Sequence, residues 1–370
     1  MKPLHYVPEL DGIRALSVWI VMLFHAGAPL MEGGWVGVDV FFILSGFLIT
    51  TLMVNEEQKC GSVNVGKFWV RRILRLMPAY FLYLAPLTVF YLTSVSWNHT
   101  HGGWSAFTYL MSLWGYFSNF APQGGLWEFQ FLSRHLWSLA VEQQFYLVFC
   151  ISYVFARYLK INFGVCLLGL LVVGNFLSHF GMLPGAQKLT LFGRGSSLVI
   201  GCLVAYYIPI ISAQQPKGRL AVVHRMSIVL SVVLVFATLT RSAFFGFDEF
   251  GAMTVFSFLL YLTIAVSISG FWYQWSAFTS SLLRYPILVW AGKISYGIYL
   301  YHMAVWGLTF LAFGAHLEPS SSTIANYGLK LLVYFSVTHA MAFLSYRYVE
   351  QPFLKLKRNF SMTGRKVSTS

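Results

Sequence analysis

Charged residues are scarce in this chain. Only 10% of its 370 residues are Asp, Glu, Lys or Arg, against roughly 25% in a soluble domain. With 57% of residues hydrophobic, too little polar surface is left to keep a soluble fold dispersed. Acids are the scarcer sign, 12 against 25 Lys and Arg. In a soluble chain such an excess would point to nucleic acid. Here the basic residues sit mostly between apolar runs and no long basic arm exists, so no nucleic-acid partner is expected. The four cysteines, Cys60, Cys150, Cys166 and Cys202, stand alone without a CxxC pair. That excludes a disulfide framework and a zinc site, and no metal is expected. Low-complexity linkers and internal repeats are missing as well. P-loop, Rossmann and Gly-x-Ser-x-Gly signatures are absent, which removes support for a nucleotide fold or a serine hydrolase.

Long apolar runs are what the chain has instead. Mean hydropathy is +0.66, and a span needs about 20 mostly apolar residues. Ten such segments fall near 11–29, 35–54, 76–96, 136–157, 163–182, 191–212, 226–244, 250–272, 287–313 and 327–348. In hydrocarbon the backbone must satisfy itself, so the segments are read as helices. The expected fold is all-α, a polytopic membrane bundle of about ten helices. One membrane domain is expected over 1–354, followed by a basic tail at 355–370. The stretch 97–135, rich in Gly, Trp and Ser, reads as a loop or re-entrant piece. Asn98-His-Thr100 is a formal glycosylation acceptor without a supporting context. Asp11 and Arg14 interrupt the first segment, so it is expected to be retained rather than cleaved as a signal peptide. Basic residues at 59–75, 157–160, 217–225, 284 and 355–366 alternate with loops poorer in charge. This asymmetry predicts both termini in the cytoplasm and an even number of spans.

Ionisable groups inside apolar segments are costly and tend to serve function. Arg14 and His25 lie eleven residues apart, about 20° past three full turns and roughly 16 Å along one helix face. A neutral imidazole there can accept a hydroxyl proton, or simply be a hydrogen-bonded bundle histidine. Arg71, Arg72 and Arg75 cluster before Pro78. Forked guanidinium groups suit phosphates, and they equally suit a positive-inside anchor. Glu142, in Trp137-Ser-Leu-Ala-Val-Glu142, enters an apolar helix seven residues after His135. It is expected to pair with a base on another helix, His25 or Arg14, in a catalytic or a structural role. Asp39 lies in a glycine-bearing run, Gly33 to Gly46, that permits close helix contact. Ser295, Tyr299 and His302 share a stripe that could line a polar cavity. Glu350 closes the last span, with Arg347 as its expected local partner.

Five pieces together, Leu10 to His25, Gly37 to Ile49, Arg71 to Tyr80, Trp137 to Leu147, and Lys293 to His302 with Tyr346 to Phe353, resemble the acyltransferase-3 family of membrane acyltransferases. The resemblance spans nearly the whole chain, although 160–280 contributes little beyond apolar spans and Leu191-Phe-Gly-Arg194. It implies about ten helices and acyl transfer from a cytoplasmic donor, usually acetyl-CoA, to a sugar hydroxyl at the outer face. Carried onto this sequence, it makes His25 the essential catalytic group with Arg14 and Glu142 beside it. It places the donor site at Arg72 and Arg75, with Arg71 adjacent. Asp39, Trp137, Tyr299 and His302 are taken as substrate-binding. Some relatives carry an esterase-like domain after the last span. Here a basic tail follows, so the chain is expected to finish the transfer itself or hand the acyl group to a partner.

The implied setting is the bacterial cytoplasmic membrane, with the lipid bilayer and a saccharide acceptor such as O-antigen or exopolysaccharide as partners. The sequence leaves the oligomeric state open. Two rival classes fit the same composition. One is a transporter or flippase of a lipid-linked saccharide, in which polar residues mark a path. The other is a haem-binding cytochrome using His25, His135, His179, His302 or His339. Those histidines lack a paired arrangement on two helices, so no haem is expected.

Overall fold

A computed structural model describes residues 6–97, 131–179, 191–240, 253–313 and 324–360. Residues 98–130 of the stretch read as a loop or re-entrant piece, the glycosylation acceptor among them, and the side chain of His179 lie outside the described residues. All regular structure among the described residues is helical: α1 Pro8–His25, α2 Val36–Cys60, α3 Val65–Trp97, α4 Trp137–Leu159, α5 Phe163–His179, α6 Leu191–Ser212 and α7 Lys217–Leu239 come first. Then follow α8 Met253–Trp272, the short α9 Ser280–Leu283 and α10 Pro286–Lys293, then α11 Ser295–Phe313, α12 Ile324–Ser345 and α13 Gln351–Leu356. A 3₁₀ turn, Arg134–Leu136, leads into α4, a π-turn, Tyr346–Glu350, joins α12 to α13, and a 3₁₀ turn, Lys357–Phe360, follows.

Seven helices among the described residues are long and apolar enough to cross a membrane, and two shorter apolar ones, Phe163–Phe176 and Phe256–Trp272, accompany them. α1 is 18 residues long but carries Glu9, Asp11 and Arg14 in its first half. Its start follows simple rules: Pro8 occupies the first turn and Glu9 and Asp11 complement the positive end of the helix dipole. The predicted span 287–313 is two helices, because the chain breaks at Ile294 between α10 and α11. The predicted span at 76–96 is the apolar part of a longer helix that begins at Val65, and the one at 226–244 overlaps a helix that runs from Lys217 to Leu239.

Helices pack closely where glycine removes a side chain. At the α2–α6 crossing, a Cβ on Gly46 would run into the Leu198 carbonyl, and one on Gly201 into that of Ile43. α1 meets α9 and α10 in the same way, with Gly12 against the Leu283 carbonyl of α9 and Gly292 of α10 against that of Asp11. Small residues therefore set the backbone spacing, as expected where lipid offers no hydrophobic drive between helices. Outward faces stay apolar: Val172 on α5 is 61% exposed and Val232 on α7 is 63% exposed. Such faces have lipid as their natural solvent, and the chain is a multi-pass membrane protein.

Candidate active site

α1 holds the centre of the site. It packs against α2, α10 and α11, and its two functional side chains stand at different heights along α11. Arg14 opens into a cavity that Ser295, Tyr296 and Tyr299 of α11 also line. His25, at the last turn of α1, meets His302 one turn beyond Tyr299, with ring centroids 5.0 Å apart. The helical spacing of Arg14 and His25 thus directs both toward one partner helix.

The cavity gathers polar groups from five helices. Ser45 comes from α2, Arg72 and Arg75 from α3, Ser138, Glu142 and Tyr146 from α4, with Arg14 of α1 and the α11 residues opposite. Glu142 is held by two hydroxyls: Ser45 Oγ and Tyr146 Oη both donate to its Oε1. Those hydroxyl oxygens lie 2.7 Å from each other. Glu142 acts on Arg14 and Arg72 through its field, so its direct contacts are hydroxyls rather than the base expected on another helix.

Arg72 is buried, and its guanidinium lies 5.4 Å over the Phe68 ring and 5.3 Å over the Tyr146 ring. Its Nε has no hydrogen-bond partner. A buried donor left unmatched costs free energy comparable to a lost hydrogen bond, and an anionic ligand would satisfy it. Arg14 is steadied from below: its Nη1 donates to Asp11 Oδ1 at 3.0 Å, and Tyr6 Oη donates to Asp11 Oδ2 at 2.6 Å. Burial, then the Asp11 carboxylate, push the Tyr6 phenol pKa upward, so Tyr6 keeps its proton and remains a donor. Lys293 sits 5.5 Å over the Tyr6 ring.

Three histidines form the second centre. His302 Nδ1 lies 2.5 Å from the Tyr299 carbonyl, and His302 Nε2 lies 3.3 Å from His25 Nδ1. A carbonyl only accepts, so His302 carries its proton on Nδ1 and offers a lone pair at Nε2. His25 Nδ1 also faces the Val21 carbonyl at 3.0 Å. Two acceptors meet that one nitrogen, which fixes the His25 proton there and leaves Nε2 as its basic atom. His135 completes the cluster, 5.0 Å from His302 between ring centroids, with its Nε2 bonded to the Leu300 carbonyl at 3.0 Å. His25 is half-buried, whereas His135 and His302 are buried.

Tyr299 stands between the two centres. It lines the cavity, packs against Phe41, and meets His302 at 5.4 Å and His135 at 5.6 Å. Its hydroxyl donates to the His135 carbonyl at 3.0 Å and lies 2.6 Å from Ser138 Oγ. His25 itself does not line the cavity.

Several expected residues stand elsewhere. Arg71 leaves the cavity: its Nη2 pairs with Glu56 at 2.8 Å and its Nη1 donates to the Phe360 carbonyl at 3.0 Å. Asp39 is buried against Arg194 at 3.4 Å, and Arg194 in turn lies 4.5 Å over the Trp35 ring. Trp137 packs its ring edge-on against Phe42. Glu350 does not pair with Arg347, which reaches Gln351 at 3.5 Å. The π-turn rotates Glu350 inward, where it is buried near Arg75 and Ser345. Ser45, Tyr146 and His135 were not singled out for the site. Tyr146 lies one helical turn after Glu142, which is a sequence signal, whereas Ser45 is flanked at helical spacing by apolar residues only.

Fold and site together define a class: a polytopic helical membrane protein with a cation-lined cavity at one level and a basic histidine at the next. The chain belongs to the acyltransferase-3 family, whose acyltransferase domain matches residues 7–347. It is 30% identical over 376 aligned positions to the O-acetyltransferase OatA of Staphylococcus aureus, covering 95% of this chain and 57% of that protein. It is 29% identical to the peptidoglycan O-acetyltransferase OatA of Listeria monocytogenes, covering 95% and 56%. A putative O-acetyltransferase of Staphylococcus aureus is also 29% identical, covering 96% and 58%. The chain therefore spans little more than half the length of these relatives. No solved structure matches it.

Proposed function

We propose that this chain is a membrane O-acyltransferase. It takes an acetyl group from acetyl-CoA on the cytoplasmic side and delivers it to a hydroxyl of a saccharide on the far side of the bacterial inner membrane. The observation that carries the reading is the pairing of a cation-lined cavity with a half-buried histidine along the same α1–α11 seam. Arg14, Arg72 and Arg75 supply the charge to hold a phosphate-bearing donor, and the unmatched Nε of Arg72 fits that use. Ten crossings and cytoplasmic termini complete the arrangement: the seven long helices, the two shorter apolar ones and α1. Arg14 then faces the cytoplasmic half and His25 the outer half.

In the reaction, His25 Nε2 takes the proton of the sugar hydroxyl while the hydroxyl oxygen attacks the thioester carbonyl carbon. A C–O bond forms and the C–S bond breaks. Coenzyme A leaves as a thiolate and recovers a proton. His302 holds His25 in the tautomer that leaves Nε2 basic. Tyr299, which lines the cavity and packs against His302, must swing aside for the thioester to meet that nitrogen. The name of the Listeria relative, a peptidoglycan O-acetyltransferase, points to a cell-envelope glycan as acceptor. Peptidoglycan, O-antigen and exopolysaccharide belong to that acceptor class.

The test uses the purified chain in proteoliposomes with radiolabelled acetyl-CoA and a lipid-linked or soluble glycan acceptor. Label is expected on the glycan with wild type and not with His25→Ala, which should still bind acetyl-CoA. A wild-type protein that moves lipid-linked saccharide across the bilayer but leaves it unlabelled would overturn the reading in favour of a transporter.

A further inference from the structure

The turn Lys357–Phe360 does not trail away from the bundle; it packs against α3, the helix that carries the arginines. Arg71 pins it there through the Phe360 carbonyl, while its other nitrogen is anchored by Glu56. Lys357 is half-buried on this turn, and the charged groups that act on it most strongly are cations: Arg75, Arg72, Arg71 and Arg14. The nearby acids are engaged elsewhere. Asp11 pairs with Arg14 and Glu56 with Arg71, Glu142 accepts from two hydroxyls, and Glu350 lies near Arg75 and Ser345 with its Oε1 unmatched. Like charges crowded into a partly dehydrated place are costly unless an anion joins them.

The cations are also ordered in depth. Arg14, Arg72 and Arg75 line the cavity below Tyr299, whereas Lys357 lies beyond the lining, just past the apolar span that ends at Leu356. Coenzyme A is ordered in the same way. Its thioester sits at one end of the pantetheine arm, its diphosphate follows, and a phosphate monoester on the ribose 3′ carbon lies farthest out. With the thioester toward Tyr299, the diphosphate falls to the cavity arginines and the outermost phosphate to the outermost cation.

We infer that Lys357 recognises the 3′-phosphate of the acyl donor, and that Arg71 is a positioning residue that holds the Lys357 turn in place. This rests on the acetyl-CoA reading above and names a specificity determinant within it. Loss of water around the ammonium, then the four guanidinium groups, pull the Lys357 pKa down to about 7. Its charge is therefore present below neutrality and fades above it, and a bound phosphate restores it.

The experiment compares binding of coenzyme A and 3′-dephospho-coenzyme A to the full chain in neutral phosphatidylcholine nanodiscs. Wild type should prefer coenzyme A by roughly ten- to hundredfold, the range for one charged hydrogen bond. Lys357→Gln should bind the two alike, and Lys357→Arg should keep the preference. In wild type alone, which needs no variant to fold, the preference should shrink as pH rises past about 7. A Lys357→Gln protein that retains the preference, or a wild type that shows none, overturns the inference while leaving acetyl-CoA as donor. A wild type that binds neither compound overturns the donor reading and this inference together. The same nanodiscs with phosphatidylglycerol test a lipid headgroup as the source of phosphate. If Lys357→Gln changes only the retention of that lipid, the lysine serves the bilayer and the inference fails.

Discussion

The two ends of α1 occupy opposite chemical settings. Around Arg14 the structure collects charge: three arginines line the cavity, Glu142 stands among them, and Asp11, Tyr6 and Lys293 support it from below. Around His25 the close contacts are neutral rings and carbonyls, His302, His135, Phe24 and the oxygens of Val21 and Tyr299, and the charge that acts on it is Arg134. The charged end suits an anion, and the other end holds one imidazole between a second imidazole and a carbonyl. Tyr299 stands between them, and the proposed function places binding and proton transfer at different points along a single helix.

That division is open to attack from either end. The largest effect is expected from His25→Ala, which should cut transfer about a thousandfold or more while leaving donor affinity near wild type. Transfer assays beside equilibrium binding of acetyl-CoA check it, and a matching fall in affinity would merge the two regions into one. Next comes Arg72→Met, which keeps the packing against Phe68 and Tyr146 but removes the buried charge. Donor binding should weaken roughly ten- to hundredfold, with the turnover at saturating donor little changed. A smaller effect is expected from His302→Phe, which removes the acceptor that faces His25 Nδ1. The turnover number should fall about tenfold at unchanged donor affinity, and His302→Gln, able to accept that hydrogen bond, should recover most of it. The smallest effect is a pH dependence at the charged end. Coenzyme A binding should weaken a few-fold between about pH 6 and pH 8 as Lys357 loses its proton, and binding of 3′-dephospho-coenzyme A should not follow.

Much of the site was legible in sequence. Arg14 and His25 could be placed on one face because a helix turns by a fixed angle, and both do meet α11. The glycines at 33–46 read correctly as contact points, since Gly37 and Gly46 press on the backbones of α1 and α6. Other readings stopped where the regular helix stopped. His135 shares a face with Glu142 only along a continuous helix. The 3₁₀ turn Arg134–Leu136 breaks that phase and delivers His135 to His302 instead. A π-turn does the same to Glu350, which leaves Arg347 outside and faces Arg75 within. Arg71, Arg72 and Arg75 look alike in sequence, yet Glu56 on another helix claims Arg71 and the cavity keeps the other two.

The sequence by itself determined that this chain lies in a membrane, that it is helical, and where its costly polar groups fall along each helix. Those follow from local quantities: the length of an apolar run, the pitch of a helix, and the need to satisfy every backbone hydrogen bond in lipid. Which charge meets which partner was decided only by the tertiary structure. Attraction between charges falls with distance, and distances between helices remote in sequence are set by glycine contacts and by local breaks in helical pitch that composition does not reveal.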